Sequence, residues 1–172
     1  AERRVERLLH DDGTTAIEPA LTAEEGYHFT EDMTDRAIAW VRQSSALTPD
    51  RPFFLYFAPG ATHAPHHVPL DWADRYQGTF DDGWDVLRER IFGEQKRLGV
   101  VPADAELTAR HDEIPAWDDM PDDLKPVLAR QMEVYAGFLE HTDFHVGRLI
   151  EALDEMGALS NTLVFYIIGD NG

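Results

Sequence analysis

The sequence predicts an α/β fold, a parallel-type β-sheet flanked by helices. Three observations carry this. Two continuous apolar runs, PFFLYFA at residues 52–58 and LVFYII at 163–168, are rich in aromatic and β-branched side chains, the pattern of strands buried on both faces. Stretches with apolar residues at three- and four-residue steps precede and separate these runs, so helices alternate with strands. Each run is followed at once by polar residues, and open parallel sheets carry their chemistry just past the carboxyl ends of their strands.

The totals suit such a fold. With 172 residues, 43% hydrophobic and 28% charged, the chain describes one soluble globular domain with a real core. Its formal charge of −18, from 33 acidic and 15 basic residues, argues against nucleic acid and against anionic membranes as partners. It does not exclude a small anionic substrate held in a locally cationic site. With no cysteine there is no disulfide, thiolate metal site or thiol nucleophile. No stretch approaches the ~18 consecutive apolar residues of a membrane span. Residues 1–10, AERRVERLLH, are charged throughout and carry no initiator Met. They do not make a signal peptide, so the cytoplasm is favoured for the segment as it stands. They also fit a piece of a longer protein.

Along the chain, residues 2–9 read as the tail of a helix ended by Asp11, Asp12 and Gly13, and residues 14–27 as an irregular connection. Thr30 reads as an N-cap, with Glu31 and Asp32 in the first turn where negative charge suits the helix dipole. Met33, Ala37, Ile38 and Val41 share one face, so the helix runs to about Ser44. A turn at residues 47–51 leads to the first apolar run. Residues 71–76 make one helical turn. Trp84, Leu87 and Ile91 support a further helix within an irregular excursion over residues 78–120, whose acidic latter part reads as a solvated loop. From Leu124 to Met156 apolar residues recur at helical spacing, giving one long amphipathic helix with Gly157 as its C-cap. The second apolar run follows.

Two places carry candidate chemistry. After the first run, His63, His66 and His67 lie in GATHAPHHVP, a loop braced by Pro65 and Pro69. Histidine there can donate to an anion or act as a general acid near neutral pH. For any single one an incidental surface histidine is the favoured reading, while three in five positions beside a strand end tilt the loop toward function. After the second run come Asp170 and Asn171. Both offer hard oxygen donors suited to Ca²⁺ or Mg²⁺, yet Asp and Asn before Gly are also ordinary turn residues. His141 and His145 stand four apart on the long helix, but the intervening Thr142, Asp143 and Phe144 rule out an HExxH motif. Helix-face histidines in packing or surface contacts are the favoured reading, with Asp143 paired to Arg148.

Taken together, three stretches resemble the type I sulfatases of the alkaline-phosphatase-like superfamily. RPFFLYFAPGATHAPHHVP (51–69) resembles their strand and histidine segment. YAGFLEHTDFHVGRLIEALDEMGALSNTLVFYIIGDNG (135–172) resembles their long helix and metal-binding strand end. GYHFTEDMTDRAIAWV (26–41) resembles the helix that precedes the histidine strand in bacterial arylsulfatases. The resemblance implies an alkaline-phosphatase-like α/β fold and hydrolysis of small-molecule sulfate esters by a formylglycine formed in a C/S-x-P-x-R motif. It also implies a divalent cation, usually Ca²⁺ with Mg²⁺ as the alternative, that holds the sulfate. By the same resemblance Asp170 and Asn171 match the metal-ligating pair, and His63 matches the histidine that contacts the sulfate and the leaving oxygen. His66 and His67 receive no role. The nucleophile motif itself is not in this chain. Its nearest match is Leu47-Thr48-Pro49-Asp50-Arg51, with Leu where Cys or Ser must stand. The expectation is therefore an internal segment of a sulfatase catalytic domain over residues 1–172, inactive alone. A phosphonate or phosphate-ester hydrolase of the same superfamily, and a non-catalytic acidic domain, are the alternatives.

Overall fold

A computed structural model describes residues 9–11 and 15–168. The chain divides into two compact units. One holds the described residues up to Pro59 together with His145–Phe165, the other Gly60–Phe144 together with the described residues from Tyr166.

In the first unit, β1 (Leu9–Asp11) pairs antiparallel with β2 (Thr15–Ile17), with Leu9 opposite Ile17. Leu9 thus belongs to a hairpin strand rather than to a helix tail, Asp11 lies in the same strand rather than at a helix end, and residues 2–8 lie outside the described residues. Helix α1 spans Phe29–Leu47. Its N-cap is His28, which accepts the Thr30 backbone N–H through Nδ1 at 3.3 Å. Thr30, expected to cap, is buried in the first turn instead. Thr30, Thr34, Ala37 and Val41 form the buried face, at the spacing expected of one helix side. The Thr34 hydroxyl is satisfied by donating to the Thr30 carbonyl at 2.7 Å, the i−4 bond open to a helical threonine.

The last turns of α4 (Lys125–Glu155) bury Leu149, Ala152 and Leu153 in the same unit. Arg148 bonds Asp35 at 2.5 Å and Arg42 bonds Glu155 at 2.8 Å, so ion pairs align this end of α4 with α1. Such exposed pairs each contribute about 0–1 kcal/mol, so they set register more than stability. Past the helix, the Gly157 N–H donates to the Asp154 carbonyl at 2.8 Å, in line with its expected capping role.

In the second unit, α2 (Leu70–Asp74) and α3 (Gly83–Leu98) pack with the first turns of α4. Phe80, Trp117 and Ala129 form the core, with Tyr76, Trp84, Leu87, Leu128 and Met132 packed against it. Trp117 sits on a short 3₁₀ turn, Trp117–Asp119. It is held from two sides. Its backbone N–H donates to Asp85 Oδ2 at 2.9 Å, and its ring meets Trp84 edge-on at 4.8 Å. The Trp84 indole N–H donates to the Pro115 carbonyl at 3.1 Å, and Arg110 bonds Asp85 at 2.7 Å. The Trp117 N–H and then Arg110 hold the Asp85 carboxyl below its ordinary pKa. The acidic loop that reads as solvated in the sequence is thus anchored on α3 by these bonds.

Two glycines permit close packing. Gly83 has φ +78°, and a Cβ there would come within 2.1 Å of the Trp117 ring. A Cβ at Gly137 would lie 2.7 Å from the Ala73 backbone nitrogen, so α2 crosses α4 where α4 has no side chain. Glu133 is buried but satisfied, accepting from the Gly78 N–H at 2.8 Å and from Arg130 at 2.8 Å.

The parallel sheet expected from the two apolar runs does not form among the described residues. Residues 52–58 and 163–168 carry no strand ladder, and the β1–β2 hairpin is the sheet present there. Nor are the runs buried on both faces. Phe54 is 84% exposed and Ile167 is 87% exposed. Phe53, Leu55 and Phe57 are half-buried while Phe54, Tyr56 and Ala58 alternate with them as exposed, the period of a strand with one covered face. The physical reason is that apolar composition gives β-propensity, whereas a ladder and two-sided burial need neighbouring strands. Trp40 of α1 meets Phe53 edge-on at 6.3 Å and supplies part of the one cover this run has.

Candidate functional site

The histidine loop, residues 60–69, lies in the second unit and runs from the end of the first apolar run to the start of α2. Local bonds define its shape. The His63 N–H donates to the Gly60 carbonyl at 2.9 Å, and the His67 N–H to the Pro65 carbonyl at 3.0 Å. His63 is exposed, and its Nδ1 lies 2.7 Å from the Ala64 carbonyl. A carbonyl can only accept, so Nδ1 carries the proton. In the neutral ring, Nε2 is then the basic nitrogen, available to take a proton and, once protonated, to give it.

His66 faces inward. Its Nε2 lies 3.1 Å from the Thr62 carbonyl and donates to it by the same argument. Its ring stands edge-on to Tyr135 at 5.3 Å and tilted against Phe138 at 6.2 Å. The Thr62 hydroxyl donates to the Tyr135 hydroxyl at 2.8 Å. The loop is therefore joined to α4 on both sides of His63. Beside it opens an apolar cleft of about 900 Å³, lined by His66, Phe80, Trp84, Leu87, Trp117 and Tyr135 among others. The spacing of the histidines is legible in the sequence. The Tyr135 contact is not, because Thr62 and Tyr135 lie 73 residues apart.

The two histidines on α4 are built into packing. His145 is buried, and Arg148 Nη1 lies 3.0 Å from its Nδ1. A guanidinium only donates, so Nδ1 accepts and the proton is on Nε2, which lies 3.9 Å from Glu31. His141 is fully buried with its ring edge-on to Trp72 at 5.2 Å. This agrees with the packing role expected for the pair. Asp143, expected to pair with Arg148, instead accepts from the Tyr166 hydroxyl at 3.1 Å, while Arg148 takes Asp35. Burial first, and then the bond to Asp143, push the Tyr166 hydroxyl above its ordinary pKa. Asp170 and Asn171, the candidate metal ligands, lie outside the described residues.

Comparison with known proteins places this sequence in a family. The family model described as Sulfatase matches residues 6–172. An uncharacterised sulfatase of Schizosaccharomyces pombe is 37% identical over 122 residues, which covers 70% of this chain and 22% of that protein. An arylsulfatase of Klebsiella aerogenes is 29% identical over 150 residues, covering 86% of this chain and 31% of that protein. An arylsulfatase of Clostridium perfringens is 28% identical over 149 residues, covering 87% of this chain and 27% of that protein. These matches to the curated relatives thus span 22–31% of their length. With a family model matched over nearly every residue, the chain belongs to the sulfatase family.

Proposed function

We propose that the protein carrying this chain hydrolyses sulfate esters, and that residues 1–172 are one segment of its catalytic domain. The observation that carries the reading is the family match over residues 6–172, together with a histidine loop whose His63 keeps Nε2 as its basic nitrogen. In this reading His63 contacts the sulfate and the leaving oxygen. Its protonated ring donates through Nε2 as the ester bond breaks, while the bond from Nδ1 to Ala64 holds the ring plane. The apolar cleft beside the loop favours esters of apolar alcohols, in keeping with relatives named arylsulfatases.

Sulfatases generally bind a divalent metal. Asp170 and Asn171 fit one by donor chemistry, a carboxylate and an amide oxygen being hard ligands for Ca²⁺ or Mg²⁺. When bound, the cation would neutralise charge on the sulfate. Two oxygen donors fall short of the ~6–8 that Ca²⁺ takes, and no C/S-x-P-x-R nucleophile motif occurs here. The 172-residue chain alone is therefore expected to release no sulfate.

The test uses the full-length protein with an aryl sulfate, an aryl phosphate and added Ca²⁺. His63→Asn is expected to lower kcat on the sulfate by about 10²–10⁴. Asp170→Ala is expected to abolish the Ca²⁺-dependent rise in Tm. Turnover of the phosphate in preference to the sulfate would move the protein to the phosphoester branch of the superfamily. No turnover of either would favour a non-catalytic domain, and sulfate release by the isolated chain would overturn the segment reading.

A further inference from the structure

We propose that Tyr135 is a positioning residue, which sets the reach of His63 by fixing the loop that carries it. The proposal rests on the reading of His63 as the imidazole that contacts substrate.

Three contacts converge on Tyr135 or its immediate neighbour in the loop. The Thr62 hydroxyl, one residue before His63, donates to the Tyr135 hydroxyl at 2.8 Å. His66, three residues after His63, packs its ring edge-on to the Tyr135 ring at 5.3 Å. His66 also returns to the loop through Nε2, 3.1 Å from the Thr62 carbonyl. His63 is thus bracketed. The residue before it is bonded to the tyrosine hydroxyl, and the residue three after it lies on the tyrosine ring. The bracket is tied to a helix of 31 residues, the most rigid kind of support on which a side chain can be held in register.

His63 itself is exposed, and its side chain bonds the adjacent Ala64 carbonyl among the described residues. That bond sets the ring within the loop but does not set the loop on the fold. Tyr135 supplies a hydrogen-bonded link to the fold, beside the ring contact of His66 with Phe138. Geometry of this kind governs rate, since a misplacement of about 1 Å can cost about 100-fold. The Tyr135 hydroxyl is engaged by Thr62 and acts through His63, so loss of the hydroxyl alone, with the ring kept in the lining of the cleft, should change the chemical step and leave ground-state binding intact.

The experiment is a cycle in the full-length protein, with an aryl sulfate as substrate and saturating Ca²⁺. Tyr135→Phe removes the hydroxyl that accepts from Thr62 and keeps the ring against His66. It is expected to lower kcat by about 10-fold with KM unchanged. In a His63→Asn background the same substitution is expected to have no further effect, because the group it positions is gone. Thr62→Val breaks the same bond from the loop side, and its effect should not add to that of Tyr135→Phe. If Tyr135→Phe does not fold, Thr62→Val carries the cycle. An equal fall in kcat in both backgrounds would overturn the proposal, since it would mark a purely structural role. So would an unchanged kcat with His63 present. If His63→Asn itself leaves kcat unaltered, the reading of His63 fails and this proposal with it. If His63→Asn is damaging and Tyr135→Phe is not, only the positioning role fails.

Discussion

At Gly83 a single hydrogen in place of a methyl group decides whether Trp117 can enter the core. The residue has φ +78°, and the ring lies 2.1 Å from where a Cβ would stand. Gly99 has a similar φ of +72° but open space around it. Gly99→Ala should therefore lose about 1–2 kcal/mol from backbone strain alone, and Gly83→Ala about 1–3 kcal/mol more from overpacking, read as shifts in urea midpoint. Asp85 lies on the other side of the same tryptophan. Its folded pKa is held below the ordinary value by the Trp117 N–H and Arg110. The carboxylate thus contributes stability above about pH 4, the unfolded value, and that contribution is lost as pH falls through the folded value. Urea midpoints of the native protein and Asp85→Asn should converge as pH drops from 5 to 2. A constant gap would show that Asp85 acts by shape alone. His63 belongs to this scale too. Its place after an apolar run is visible in the sequence, but which of its nitrogens is protonated depends on the folded position of the Ala64 carbonyl.

Elements are placed by surfaces that local sequence only partly records. The long helix is legible because its apolar residues recur over eight turns, and the observed α4, Lys125–Glu155, lies within one residue of the expected 124–156 at each end. The partner of each face is not legible. Gly137 reads as a weak point in a helix, yet it is where the α2 backbone comes closest. Gly137→Ala should gain helix propensity of about 1 kcal/mol and lose more than that to the clash with Ala73, for a net destabilisation of about 1–2 kcal/mol. Gly147, on the same helix with nothing within 4 Å of its would-be Cβ among the described residues, is the control. Its Ala variant should be stabilised by about 1 kcal/mol, and opposite signs for the two in thermal unfolding would confirm the crossing. The cap of α1 has a similar cause. Thr30 has the right residue type, but burial of its side chain leaves the capping role to His28.

For the whole molecule, the informative feature is apolar surface left uncovered. Phe54, Tyr56, Leu163, Phe165 and Ile167 are all strongly exposed, in two runs that carry no ladder. Contiguous apolar runs with unpaired backbone are templates for association. The 172-residue chain alone should bind a hydrophobic dye and self-associate as its concentration rises, measured by sedimentation velocity. Lysine at Phe54 and Ile167 should reduce both effects. A monodisperse chain that binds no dye would show that these runs are covered in solution. The matched relatives are three to five times longer than the stretch they share with this chain, and in the proposed reading the remainder supplies neighbours for these runs.

The sequence by itself determined helices α1 to α4 and the histidine loop at the end of an apolar run, because periodicity and motif spacing are local properties of the chain, and the resemblance of three stretches gave the family. Tertiary structure alone decided that Tyr135 grips the loop, that Arg148 takes Asp35 while Tyr166 takes Asp143, that Trp117 is core, and that residues 52–58 and 163–168 stand without a ladder among the described residues. Each of these depends on groups distant in sequence or on strands that must come from a neighbour. Local composition states what a segment can bury or bond. It does not state what will be there to meet it.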